Sequence, residues 1–119
     1  MGDFVKLFTA ENSVQVCFYI EDPQIMAIGE KLEEINGQAY MNGYNWEALL
    51  RFYLEQNAPE VLKEMAADPE AGMYAAYYPL TRENEARAGK LLEIIRRLAE
   101  DEEELCRLVR DHGDEIEWD

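Results

Sequence analysis

Basic residues are scarce in this chain. Eleven Lys and Arg stand against 26 Asp and Glu, a formal net charge of -15 over 119 residues. Phosphate contacts require basic patches, so nucleic acid is not expected as a direct ligand. An acidic surface favours a basic protein partner, and it also keeps a chain soluble.

Cysteine is rarer still, with two residues. Cys17 and Cys106 lie far apart without C-x-x-C spacing, which suggests neither a disulfide framework nor a zinc site, so both are expected as free thiols in a reducing cytosol. Histidine occurs once, as His112, with no second soft ligand nearby in sequence. Phosphate-loop, dinucleotide and Ser-His-Asp patterns are missing. A hydrolase using paired carboxylates is the catalytic arrangement left over, but solvated helix faces already account for the many acids. The expectation is therefore no enzyme, no catalytic residue, no cofactor and no metal. No apolar run approaches the ~20 residues of a spanning helix, and Met1-Gly2-Asp3-Phe4-Val5-Lys6 lacks the basic start of an export signal. A cytoplasmic chain without membrane contact is expected.

What is present is a sufficient core. Hydrophobic residues make up 48% of the chain, enough for one domain spanning 1–119. Phe4 to Thr9 and Val14 to Ile20 are rich in β-branched and aromatic residues around the turn Ala10-Glu11-Asn12-Ser13, and read as a hairpin. Val14, Val16, Phe18 and Ile20 share its packed face, and Cys17 is a small residue of the mixed face. Asp22-Pro23 opens a helix striped by Ile25, Ile28, Gly29, Leu32 and Ile35 and stopped by Asn36-Gly37.

The stretch from Tyr40 to Met73 organises the rest. A helix capped by Asn45 places Trp46, Leu49, Leu50, Tyr53 and Leu54 at i, i+3, i+4, i+7 and i+8, and Asn57 with Pro59 ends it. Trp46 and Tyr53 suit either a core edge or a binding anchor. A short helix from Pro59 turns Val61, Leu62 and Met65 inward, and Asp68-Pro69-Glu70-Ala71-Gly72 is a turn. Met73 to Tyr78 is expected as a strand pairing with the hairpin, Tyr74 and Tyr78 on one face and Tyr77 on the other.

From Thr81 the chain predicts a helical hairpin. Ala88, Leu91, Leu92, Ile95, Leu98 and Ala99 stripe its first arm; Asp101 and Glu104 form a capping box for its second, which carries Leu105, Leu108, Val109 and His112 on one face and ends at Gly113. His112 serves the helix C-terminus. Residues 101–119 hold nine acids against Arg107 and Arg110. Residues 113–119 are read as a flexible acidic tail, and its Trp118 is left open between folding back on the core and standing as an exposed anchor. The fold class is α+β: a small antiparallel sheet of an N-terminal hairpin plus a central strand, packed against four to five helices in the order ββααβαα.

The runs Asn42-Gly43-Tyr44-Asn45-Trp46-Glu47-Ala48-Leu49-Leu50, Tyr53-Leu54 and Asp68-Pro69-Glu70-Ala71-Gly72-Met73-Tyr74, followed by a charged helical hairpin, resemble the immunity protein 51 family of bacterial polymorphic toxin systems. The resemblance covers roughly residues 4 to 112. It implies a small cytosolic protein, encoded beside a toxin, that binds the toxin domain and blocks it. With the charge, it suggests that acidic side chains take the place of phosphates in the cleft of a basic enzyme such as a nuclease. Tyr44, Glu47, Glu70, Tyr74 and Tyr78 are the expected exposed partner-binding residues, and the acidic tail steers the encounter. The alternative is a non-catalytic adaptor that self-associates through the leucine-rich helical hairpin.

Overall fold

The structure, a computed structural model, describes residues 4–118. Met1-Gly2-Asp3, part of the segment read for an export signal, and Asp119 lie outside the described residues. The chain runs β1 (Val5–Thr9), β2 (Ser13–Tyr19), α1 (Pro23–Ile35), α2 (Gly43–Asn57), a 3-10 turn (Pro59–Leu62), β3 (Ala66–Ala67), β4 (Met73–Pro79), α3 (Arg82–Glu100) and α4 (Glu102–His112). The expected α+β architecture is therefore present, with β3 a short addition. The four strands form an antiparallel sheet in the order β1-β2-β4-β3.

The hairpin closes where the Ala10 N–H donates to the Ser13 carbonyl at 2.8 Å. Val16 pairs with Ala76 and Phe18 with Tyr74, so the β-branched and aromatic alternation of β2 meets that of β4. Val14, Val16, Phe18, Tyr74, Ala76 and Tyr78 form the face turned to the helices and are buried. Lys6, Phe8, Gln15, Cys17, Tyr19 and Tyr77 share the opposite face by register.

α1 starts as its sequence predicts. Asp22 Oδ1 accepts from the Gln24 N–H at 2.9 Å, and Pro23 occupies the first helical position. Ile25, Ile28, Gly29 and Leu32 are buried, whereas Ile35, expected in the stripe, sits exposed in the last turn. α2 begins three residues earlier than its sequence suggested. Asn42, not Asn45, is the N-cap, its Oδ1 accepting from the Asn45 N–H at 2.9 Å. Two asparagines three apart offer the same local chemistry, and Asn45 is instead buried with its Nδ2 donating to the Tyr40 carbonyl at 2.7 Å.

Trp46, Leu49, Leu50, Tyr53 and Leu54 are all buried, as their spacing requires. The Trp46 ring meets Phe18 edge-on at 5.0 Å, and Phe18 meets Phe4 at 6.3 Å, which locks α2 onto the sheet. Tyr53 is a core-edge residue whose hydroxyl accepts from Arg97 at 2.5 Å. Past Pro59, Val61 is buried and Leu62 and Met65 are half-buried. Glu64 then takes a positive φ of 64°, and its carboxylate accepts from Asn84 at 3.0 Å. Asn84, fully buried, also donates to the Pro79 carbonyl at 2.8 Å and so ties the end of β4 to the start of α3.

In α3, Ala88, Leu91, Ile94, Ile95, Leu98 and Ala99 are buried; Leu92 is half-buried. Asp101 caps α4 through the Glu104 N–H at 3.3 Å. The capping box stays incomplete because the Glu104 carboxylate takes a charged donor, Arg97, at 3.0 Å, while the Asp101 N–H bonds to Leu98. Gly113 follows α4 with right-handed backbone angles, φ -59° and ψ -30°. Its value lies in space: a Cβ there would fall 2.4 Å from the Val109 carbonyl oxygen. Beyond it Ile116 is buried, and Trp118 folds back half-buried, its Nε1 donating to the Gly113 carbonyl at 2.8 Å.

Candidate partner-binding groove

α1, the end of β2 and the loop leading into α2 enclose an open groove of about 290 Å³. Its floor is Ile20, Gly29 and Met41, and its rim carries Glu21, Glu30 and Glu33 with the exposed side chains of Met26 and Tyr40. Glu30 and Glu33 lie three apart on α1 and so project from the same side of the helix. Lys31, the only basic residue of that helix, is turned away to Glu102 on α4. Among the described residues Glu21, Glu30 and Glu33 form no salt bridge, so their negative charge is left facing solvent.

Tyr40 is 65% exposed, yet its backbone is held firmly. Its carbonyl accepts from the Asn42 N–H at 2.8 Å and from Asn45 Nδ2 at 2.7 Å. The aromatic ring thus stands on a fixed base, which limits the ordering entropy that docking against it would cost. The Asn42 cap, the buried Asn45 and the Gly43 contact with the 70–73 turn together set the position of this loop.

The five expected binding residues do not form one site. Tyr44, 41% exposed, is the second residue of α2, two past the Asn42 cap, and Glu70 is exposed on the turn beside Ala71, which lines the groove. Glu47 lies in a second acidic cleft with Glu55, Glu115 and Glu117, where its carboxylate accepts from Arg51 Nε at 2.9 Å. Tyr74 and Tyr78, expected to be exposed, are instead in the core at 1% exposure each. The expected alternation holds, but α2, the 3-10 turn and α3 cover the face that they share. The Tyr78 hydroxyl donates to the Val61 carbonyl at 2.7 Å, and that of Tyr74 reaches Met65 Sδ at 3.9 Å. Burial pushes both phenols well above their ordinary pKa.

Tyr40 and Met26 were not singled out from the sequence as binding residues. A periodicity argument finds side chains that must be buried, and Met26 and Tyr40 fall outside every stripe. For Tyr40 the available signal was an aromatic beside the Asn42-Gly43 turn; Met26, inside α1, left none.

Cys17 is buried on the outer sheet face, and that burial raises its thiol pKa. Lys6 stands opposite it in the strand register, but the ammonium lies over the Tyr19 ring, 5.9 Å from the centroid. His112 is exposed, lies beside Phe52 with the rings tilted by 38° and 5.5 Å apart, and meets Glu115 Oε2 at 2.9 Å. Among the described residues no group of three or more His, Cys, Asp or Glu side chains is placed to hold a metal ion. No described helix is long and apolar enough to cross a membrane.

The fold and groove define a small acidic α+β module with an exposed aromatic, Tyr40, presented on a bonded backbone. The family model described as Immunity protein 51 matches residues 5–113, and the chain belongs to that family. Its role is accordingly that of an immunity protein. No curated protein and no solved structure matches the chain.

Proposed function

We propose that this immunity protein neutralises a basic toxin domain, of the nuclease kind, by seating a Lys- or Arg-bearing surface of the toxin in the acidic groove and so occluding its active site. The observation that carries this reading is the union of three unpaired glutamates, Glu21, Glu30 and Glu33, with the pinned and exposed Tyr40. Tyr40 and Met26 exclude water around the ion pairs, while the glutamates stand where phosphates would stand in the toxin's cleft. Tyr44 and Glu70 extend the contact along the rim. The acidic cleft around Glu47 and the C-terminal segment steers the encounter from a distance. No step of catalysis is assigned to the chain.

The test is co-expression with the toxin domain encoded beside the chain, followed by calorimetry on the purified pair at low and high salt. We expect a one-to-one complex that abolishes toxin activity and weakens with salt. Tyr40→Ala and the double change Glu30→Lys, Glu33→Lys are each expected to weaken it by about tenfold or more. Full affinity in both variants would place the interface elsewhere, and absence of any complex with the native chain would overturn the reading.

A further inference from the structure

β1 is an edge strand, paired with β2 on one side only. The bonds from the Ala10 N–H to the Ser13 carbonyl at 2.8 Å and from the Tyr19 N–H to the Phe4 carbonyl at 2.7 Å set the phase of the ladder. Even-numbered residues of β1 bond to β2, so the N–H and C=O groups of Val5, Leu7 and Thr9 point away from the sheet. The strand that presents them is apolar at its centre: Leu7 is 39% and Phe8 44% exposed. Edges of this kind are usually guarded by charges, prolines or bulges. Here the only charge is Lys6, and its ammonium leans along the sheet face over Tyr19.

Charge decides which occupant fits. β1 carries Lys6 alone, β2 carries no charge, and α3, which packs on both, holds five basic residues against four acidic ones. In a chain of net charge -15 this flank has no acidic excess. A basic partner is drawn to the groove on the acidic side of the molecule. A second copy, itself strongly acidic, meets least repulsion at the β1 and α3 flank.

We propose that β1 is a self-association edge, pairing antiparallel with β1 of a second copy about a two-fold axis at Leu7. In that register Leu7 faces Leu7 and Val5 faces Thr9, so the outward-pointing groups meet one another and each such pair exchanges two N–H···O bonds. Lys6 then stands directly across from Phe8 of the second copy, in the close, non-hydrogen-bonded position, and its ammonium reaches that ring. Phe8 meets Lys6 of the second copy in the same way. The contact is isologous and closes at a dimer, running the two four-stranded sheets into one. It leaves the acidic groove free and does not depend on what the groove binds.

Sedimentation velocity on the full chain alone, across a dilution series, tests this, with amide hydrogen exchange at both ends of the series. We expect a doubled mass at high concentration that halves on dilution, with exchange at Val5, Leu7 and Thr9 slowed in the dimer. Leu7→Pro removes an outward N–H without touching the ladder to β2, and Phe8→Lys sets like charges opposite one another. Each is expected to sediment as a monomer throughout, with a thermal melting curve that matches the native chain's at the dilute, monomeric end of the series. Should the proline variant fail to fold, Phe8→Lys alone decides, because Phe8 is largely outside the core. A native chain that is monomeric at every concentration overturns the proposal. So does a dimer that survives Phe8→Lys, or a mass that keeps rising past two copies.

Discussion

Gly43 lies against the carbonyl of Glu70 so closely that a Cβ there would fall 1.8 Å from that oxygen and 2.4 Å from the carbonyl oxygen of Met73. The Gly43 N–H donates to the Ala71 carbonyl at 3.0 Å. The first residue of α2 is thereby seated on the turn before β4. This contact joins the two ends of the Tyr40 to Met73 stretch and holds the loop that presents Tyr40.

Replacing Gly43 with Ala is expected to cost about 3 kcal/mol, since both obstructing atoms belong to backbone that cannot rotate away. Chemical denaturation measures it. Gly89→Ala is the control: a Cβ there meets nothing within 4 Å, and Ala is the better helix former, so it should stabilise by up to about 1 kcal/mol.

The two core tyrosines should respond differently to loss of the hydroxyl. Tyr78→Phe strands the Val61 carbonyl, which now accepts at 2.7 Å, and should cost about 1–2 kcal/mol. Tyr74→Phe gives up only a 3.9 Å approach to a thioether sulfur and should be nearly neutral. Equal costs in urea melts would contradict this assignment.

Alkaline stability follows from the same pair. Desolvation raises the folded-state pKa of Tyr74 and Tyr78 above the unfolded value of about 10. The folded state therefore holds these protons more tightly than the unfolded chain. Their contribution is fully present below about pH 10 and is lost as pH rises toward the folded pKa values, at up to about 1.4 kcal/mol per pH unit for each tyrosine. Cys17, raised in the same sense, begins the loss from about pH 8.5. Denaturation midpoints from pH 7 to 11 should fall in that order, and Cys17→Ala should flatten the first part of the curve.

The C-terminal segment can be weighed by truncation. Ending the chain after Gly113 removes the buried Ile116 and the half-buried Trp118 with its bond to Gly113. A loss of about 2–4 kcal/mol is expected from the apolar burial and the hydrogen bond together. A calorimetric melting temperature that does not move would show that the segment contributes nothing to the fold.

Much of this was legible in the residues because the controlling interactions are local. Asp22 as an N-cap with Pro23 at the first helical position favours a helix start from local chemistry alone, and the spacing from Trp46 to Leu54 can bury only one face. The alternation of Val14, Val16 and Phe18, like the Asp68–Gly72 turn, follows from chemistry within a few positions. The family resemblance drew on these same short runs, and the family match over 5–113 agrees with it.

What the chain alone determined, then, is its main elements, most of their buried faces and its acidic surplus, because helix stripes, strand alternation and charge are properties of neighbouring residues; the two-residue β3 was not among them. Tertiary structure alone decided how those elements meet. Asn42 rather than Asn45 caps α2 because Asn45 is drawn inward to the Tyr40 carbonyl. Tyr74 and Tyr78 became core because α2, the 3-10 turn and α3 cover their side of the sheet. The acidic groove exists only where α1, the Tyr40 loop that follows it, the end of β2 and the sequence-distant Ala71 are brought together. Which face of an element is apolar is set by its own residues, but what comes to lie against it is set by packing across the whole molecule.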